Sequence, residues 1–192
     1  MAQRGAAVQR DRDRWCVKYD GASLSTSQQW SDFAKTAGCP PEGPDRSIHV
    51  PYILVYSASQ EKLDRTEKIS GTVETQLESA TWEQIKSSFL ALAGPNSKGI
   101  ITVDLLILDQ QSFEDRTVIV VEKGAGWVLD GKEVERVPYG QDNAQRLIVW
   151  KKYRVPFEHA FAVQCGIEGF CSTERAEEYF VEEIEREVAP ED

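Results

Sequence analysis

Residues 117–137, TVIVVEKGAGWVLDGKEVERV, carry the reading that decides the fold class. Thr117–Glu122 and Trp127–Leu129 are rich in β-branched and aromatic side chains, which predicts two strands, with Gly124-Ala125-Gly126 between them as a β-turn. Asp130-Gly131 follows at once. This pair readily takes the positive backbone angles of a tight hairpin whose twist matches its strands, so Trp127–Leu129 should return antiparallel as Glu133–Val137.

Outward from this hairpin, Ile100–Leu108, Arg146–Tyr153 and Ala160–Cys165 are predicted as further strands. Their short separations favour antiparallel neighbours, because a parallel pair needs a crossover of a dozen residues or more. Trp15–Tyr19 alternates and predicts a short strand, and Ile48–Ser57 predicts another whose early part is an edge or bulge because Pro51 has no amide hydrogen. Two helices precede the run of strands. Ser25 with Gln28, or Thr26 with Gln29, fits a capping box ahead of Trp30, Phe33, Ala34 and Ala37, and Gly38 ends that helix. Thr81 with Gln84 caps a second, with Trp82, Ile85, Phe89 and Leu92 on one face and Ala93-Gly94-Pro95 as its stop. Residues 60–75 stay open between a short helix over 59–66 and a hairpin at Ser70-Gly71. The last element, Thr173–Val188, reads as an acidic helix with Ala176, Phe180, Ile184 and Val188 in an apolar stripe.

The expected fold is α+β, a curved, mostly antiparallel sheet of five or six strands packed against two or three helices. The order of elements resembles that of cone-shaped α+β folds; a sheet wrapped around a helix would leave a cleft between the two. Domain limits follow from pattern: a flexible arm over 1–14, one domain over 15–188, and a flexible tail over 189–192.

At 192 residues the chain is long enough to bury a single core without metal or disulfide support. Its net charge is −10, yet residues 173–192 hold nine acidic side chains against Arg175 and Arg186, so the body is nearly neutral. No broad basic surface is evident, which argues against nucleic acid as a partner. No run reaches the length of a membrane span, and no apolar segment follows the N-terminal arginines as a secretory signal requires. Cys16, Cys39, Cys165 and Cys171 are too few for a dense disulfide framework and read as free thiols, so a cytoplasmic location is expected; in a secreted protein two bridges would have three pairings.

The motifs of well-marked enzymes are missing. His49 and His159 have no metal-ligand spacing, Gly124-Ala125-Gly126 lacks the rest of a phosphate loop, and neither a dinucleotide fingerprint nor a nucleophile elbow occurs, so no cofactor or metal is implied. Two residues remain as catalytic candidates. Asp104 interrupts an apolar strand, where it acts as an acid or base if it borders a cleft, or pairs with Arg146 or Lys151 across the sheet if it does not. His159 carries an imidazole, a group suited to proton transfer, and would complete an acid–base pair with Asp104 if both faced one cleft. Trp127, Tyr139, Trp150 and Tyr153 are candidates for lining an apolar ligand pocket, or for cross-strand packing. Trp30, Trp82 and Phe89 read as core.

These features lead to a non-catalytic protein-interaction or assembly module, with a protein partner or self-association as its mode of action. The alternative is a small-ligand-binding protein, or a cofactor-independent lyase or isomerase, with its site in the sheet–helix cleft.

Overall fold

The computed structural model describes residues 14–18, 27–40, 50–57, 59–60, 66, 69, 73, 75–77, 79–92, 103–168, 179 and 181–189, with backbone alone for 14–18 and Ser27. Its strands are β1 (Arg14–Lys18), β2 (Tyr52–Val55), β3 (Asp104–Leu108), β4 (Thr117–Leu129), β5 (Lys132–Val134), β6 (Gln145–Pro156) and β7 (Val181–Val188). The helices are α1 (Ser27–Ala37), α2 (Trp82–Leu92), α3 (Gln110–Glu114) and α4 (Phe157–Ile167).

All seven strands join one sheet of order β2-β1-β3-β4-β6-β7, with β5 paired to β4. β1 runs parallel to β2 and β3, while every other pairing is antiparallel. The parallel pairs need long crossovers, and the segments containing α1 and α2 supply them. Tyr52–Val55 and Leu105–Leu108 are buried without alternation, as expected of strands covered on both faces.

Successive side chains of a strand point to opposite faces, and the sheet separates its core accordingly. On one face Tyr52, Leu54, Leu106, Val120 and Val155 meet Trp30 and Phe33 of α1 and Phe157 and Ala160 of α4. The Phe33 and Phe157 rings pack edge to face, 5.0 Å between centroids. On the other face Ile53, Leu105, Ile107, Val121 and Trp150 meet Ile85 and Phe89 of α2. Helices thus cover both faces of the sheet, and the two interiors are filled by side chains.

The two edges differ. Thr66 closes the β2 edge: its amide donates to the Tyr52 carbonyl (2.9 Å) and its hydroxyl accepts from the Leu54 amide (3.1 Å). β7, at the opposite edge, pairs with β6 alone among the described residues.

Several expectations are corrected. Gly124-Ala125-Gly126 is not a turn; it continues β4, paired with Val149, Ile148 and Leu147, because a strand tolerates glycine where no side chain is needed to fill the face. The true turn is Asp130-Gly131, both residues at positive φ (51° and 74°), as a two-residue hairpin of this kind requires. Ala160–Cys165 is helical, lying within α4. Its unbroken apolar run suits a buried helix as well as a buried strand, and Pro156 before it offers no side-chain cap to mark a helix start. Val181–Val188 is a strand rather than the end of a helix; residues 173–178 and 180 lie outside the described residues. The sheet has seven strands rather than five or six: two of the expected strands merge into β4 and Ala160–Cys165 drops out, while β1, β2 and β7 join it. Arg14 belongs to β1 and not to an arm; residues 1–13 and 190–192 lie outside the described residues, as does the Ser70-Gly71 hairpin.

Candidate functional site

Asp104 opens β3 and is 1% exposed. Arg146 lies on the opposite face of the sheet, opposite Trp127, and Lys151 stands one strand further along the same row, opposite Glu122. The direct neighbour of Asp104 across the sheet is Glu122, and the Lys123 amide donates to the Val103 carbonyl at 2.7 Å. That bond makes Asp104 and Glu122 a non-hydrogen-bonded pair, with Cα atoms about 4.5 Å apart. Two carboxylates opposite one another repel, and each receives a donor. Gln164 Nε2, reaching down from α4, donates to Asp104 Oδ2 at 2.5 Å. Tyr153 donates its hydroxyl to Glu122 at 2.5 Å; burial, and then this bond, push the phenol well above its ordinary pKa. The Tyr52 hydroxyl lies 3.0 Å from Gln164 Oε1 and donates to the Ala37 carbonyl at 2.8 Å. The network ties α1, α4 and the sheet together inside the packed interior.

His159 is placed elsewhere. It lies in the first turn of α4, half-buried, with Nδ1 hydrogen-bonded to the Tyr179 hydroxyl. Five residues of α-helix separate it from Gln164, about 7.5 Å along the axis and about 140° around it. The structure therefore does not bring His159 to Asp104, and the geometry of an acid–base pair is missing.

The four aromatic candidates divide as well. Trp150 is wholly buried on the α2 face, edge-on to Trp82 and Phe89 with centroids 5.2 and 6.1 Å away. Lys86 and Lys123 lie over its ring at 5.9 and 5.7 Å. Tyr153 is buried on the other face. Only Trp127 (38%) and Tyr139 (107%) are exposed, so the four line no common pocket. A shallow depression of ≈ 600 Å³ lies beside α2, between Leu77, Ser79, Glu83, Gln84 and Ser87. It has no convergent pair of titratable groups. Among the described residues no cluster of three His, Cys, Asp or Glu side chains is placed to hold a metal, and no helix is long and apolar enough to cross a membrane.

Among the described residues the fold presents a bare stretch of sheet. β4 and β6 are 13 and 12 residues long, whereas the α2 cluster ends at Trp150 and the partly buried Ile148. Beyond it, Ala125, Trp127 and Leu129 continue on the same face by strand alternation from Lys123, which sits over Trp150. Their direct partners across the sheet are Ile148 and Arg146 on β6 and Val134 and Lys132 on β5. Ala125, Trp127, Leu129 and Val134 belong to neither buried cluster. Trp127 was legible in the sequence as an aromatic on the hairpin; its exposure was not, because that depends on where α2 stops.

The architecture defines a mixed α+β protein in which a largely antiparallel sheet packs against helices. Comparison with known protein families, with curated proteins and with solved structures finds no match to this chain.

Proposed function

We propose that the protein acts by association with another protein, as a non-catalytic interaction or assembly module, through the bare sheet face around Trp127. The observation that carries this reading is an aromatic side chain 38% exposed among half-buried aliphatic residues on a rigid, doubly paired strand. A preformed apolar face with an aromatic anchor is the arrangement that concentrates binding energy at protein interfaces. Rigidity adds to it, since no loop must be ordered on binding.

Nothing among the described residues favours the rival reading of a small-ligand site or of a lyase or isomerase. The space between sheet and helices holds Trp30, Phe33, Phe89 and Trp150, and Asp104 and His159 face different surroundings.

The test is association in dilute solution. A photo-crosslinking residue at position 127 should capture a defined partner in native extract, and the same residue at exposed Glu158 of α4 should not. A strict monomer by mass measurement that retains no protein through position 127 would remove the reading.

A further inference from the structure

The charges around the bare face specify the partner, an inference that rests on the interaction reading. Lys86, Arg116, Lys152, Arg154 and Arg186 all form ion pairs. Lys35, Lys123, Lys132, Arg136, Arg146 and Lys151 form none among the described residues, and three of these lie on the bare face: Lys123 above Ala125, Lys132 opposite Leu129, and Arg146 opposite Trp127. Glu187, opposite Ile148 on that face, is held by Lys86 at 2.9 Å. On a chain of net charge −10, the described residues make the surface around Trp127 locally cationic.

We propose that this face docks an acidic amphipathic helix of a partner protein, laid in the layer that α2 begins. A sheet face takes helices side by side at roughly 10 Å spacing, and among the described residues no helix occupies the strip beyond α2. Apolar side chains of the incoming helix would cover Trp127, Leu129, Val134 and Ile148, and its carboxylates would meet Lys123, Lys132 and Arg146. A second copy of this chain fits poorly, since a twofold contact sets the same patch against itself and would bring like cations together. A nucleic acid is disfavoured by the charge of the whole molecule, because three cations offer little counterion release to offset it.

The probe is a designed amphipathic peptide of about 18 residues with leucines at helical spacing and glutamates elsewhere, set against the same peptide with lysines for glutamates. The full chain should bind the glutamate peptide, more weakly as salt rises, and the lysine peptide at least about tenfold less tightly. Trp127→Ser should lose at least about tenfold in affinity while circular dichroism stays unchanged. Lys132→Glu with Arg146→Glu should invert the preference between the two peptides. Equal binding of both peptides, an unchanged preference in the charge-reversed variant, or tighter binding of a single-stranded oligonucleotide would overturn the proposal. If a native partner is captured at position 127 while these peptides fail to discriminate, the acidic-helix proposal falls and the interaction reading stands; if position 127 captures nothing, both fall.

Discussion

Asp109 shows how one side chain is given two tasks at the end of β3. Its carboxylate accepts from the Ser112 amide at 2.9 Å, with the Ser112 hydroxyl returning to the Asp109 amide at 3.0 Å, a reciprocal cap that starts α3. The same carboxylate forms an ion pair with Arg154 of β6, whose guanidinium also donates to the Thr117 hydroxyl at 3.1 Å. Burial alone would raise the Asp109 pKa, but the Arg154 and Ser112 hydrogen bonds outweigh it and hold the group below its ordinary value. A carboxylate with a depressed folded pKa stabilises the fold above its unfolded pKa, near 3.9, and loses that contribution as pH falls through the folded value. Asparagine caps helices as well as aspartate does, so Asp109→Asn removes the ion pair and leaves the cap. At pH 7 it should cost about 1.5–3 kcal/mol, and in acid its denaturant midpoint should converge with that of the wild type. Asp109→Ala should cost about 1 kcal/mol more at every pH, from the lost cap. A difference between Asn and wild type that persists undiminished to the lowest pH would place the effect somewhere other than the ion pair.

At the scale of elements, β7 is the instructive case. Lys152 pairs with Glu182 at 3.0 Å, Lys151 stands opposite Glu183, and Lys86 of α2 reaches Glu185 and Glu187 at 2.8 and 2.9 Å. The last pair has a matching effect on protonation: burial would lower Lys86, but its two carboxylate bonds hold it above its ordinary pKa, and its bond with that of Trp82 holds Glu185 below its own. The strand is therefore seated by charge more than by apolar burial, since Ile184 alone of its side chains packs against a core cluster. Lys151→Glu with Lys152→Glu should raise hydrogen exchange across Val181–Val188 by at least about tenfold, while β3 and the Thr117–Val121 half of β4 keep their protection. Exchange rising equally in β3 would show that β7 is no separate unit. The same cross-strand pattern was the missed signal in the sequence: adjacent lysines at 151–152 answer adjacent glutamates at 182–183, a match a helix does not require. Ile184 and Val188 did not discriminate, because a spacing of four keeps side chains on one face of a strand as well as of a helix. Strands with β-branched runs and a DG turn, and α2 with its Thr81 and Gln84 capping box, were legible because local chemistry sets them; Ser25 and Thr26, the expected caps of α1, lie outside the described residues. Buried α4 and acidic β7 were not, because burial and a partner strand set those. For the candidate site the division was the same: Trp127 was visible as a residue type, whereas the separation of Asp104 from His159 depends on the pitch of a helix that the sequence did not announce.

The whole molecule is two cores on one sheet, and β3 is where they meet. Leu105 and Leu106 are neighbours in the chain, both 0% exposed, yet Leu105 belongs to the α2 cluster and Leu106 to the α1/α4 cluster. Each core has its own reporter: Trp30 in the α1/α4 cluster, Trp150 in the α2 cluster. Neither helical layer can leave without uncovering strands that the other layer also needs, so the two should melt together. Leu105→Ala and Leu106→Ala each open a cavity and should each cost about 2–5 kcal/mol, a large share of the roughly 5–15 kcal/mol of a typical domain. With fluorinated tryptophan, the Trp30 and Trp150 resonances should disappear at one shared denaturant midpoint in the wild type. Either substitution should lower both resonances' midpoints by the same amount. If Leu105→Ala shifted only Trp150, and Leu106→Ala only Trp30, the two faces would be separate cooperative units. The surface around Trp127 would then belong to a layer that can open alone, and its rigidity as an interface would have to come from the partner.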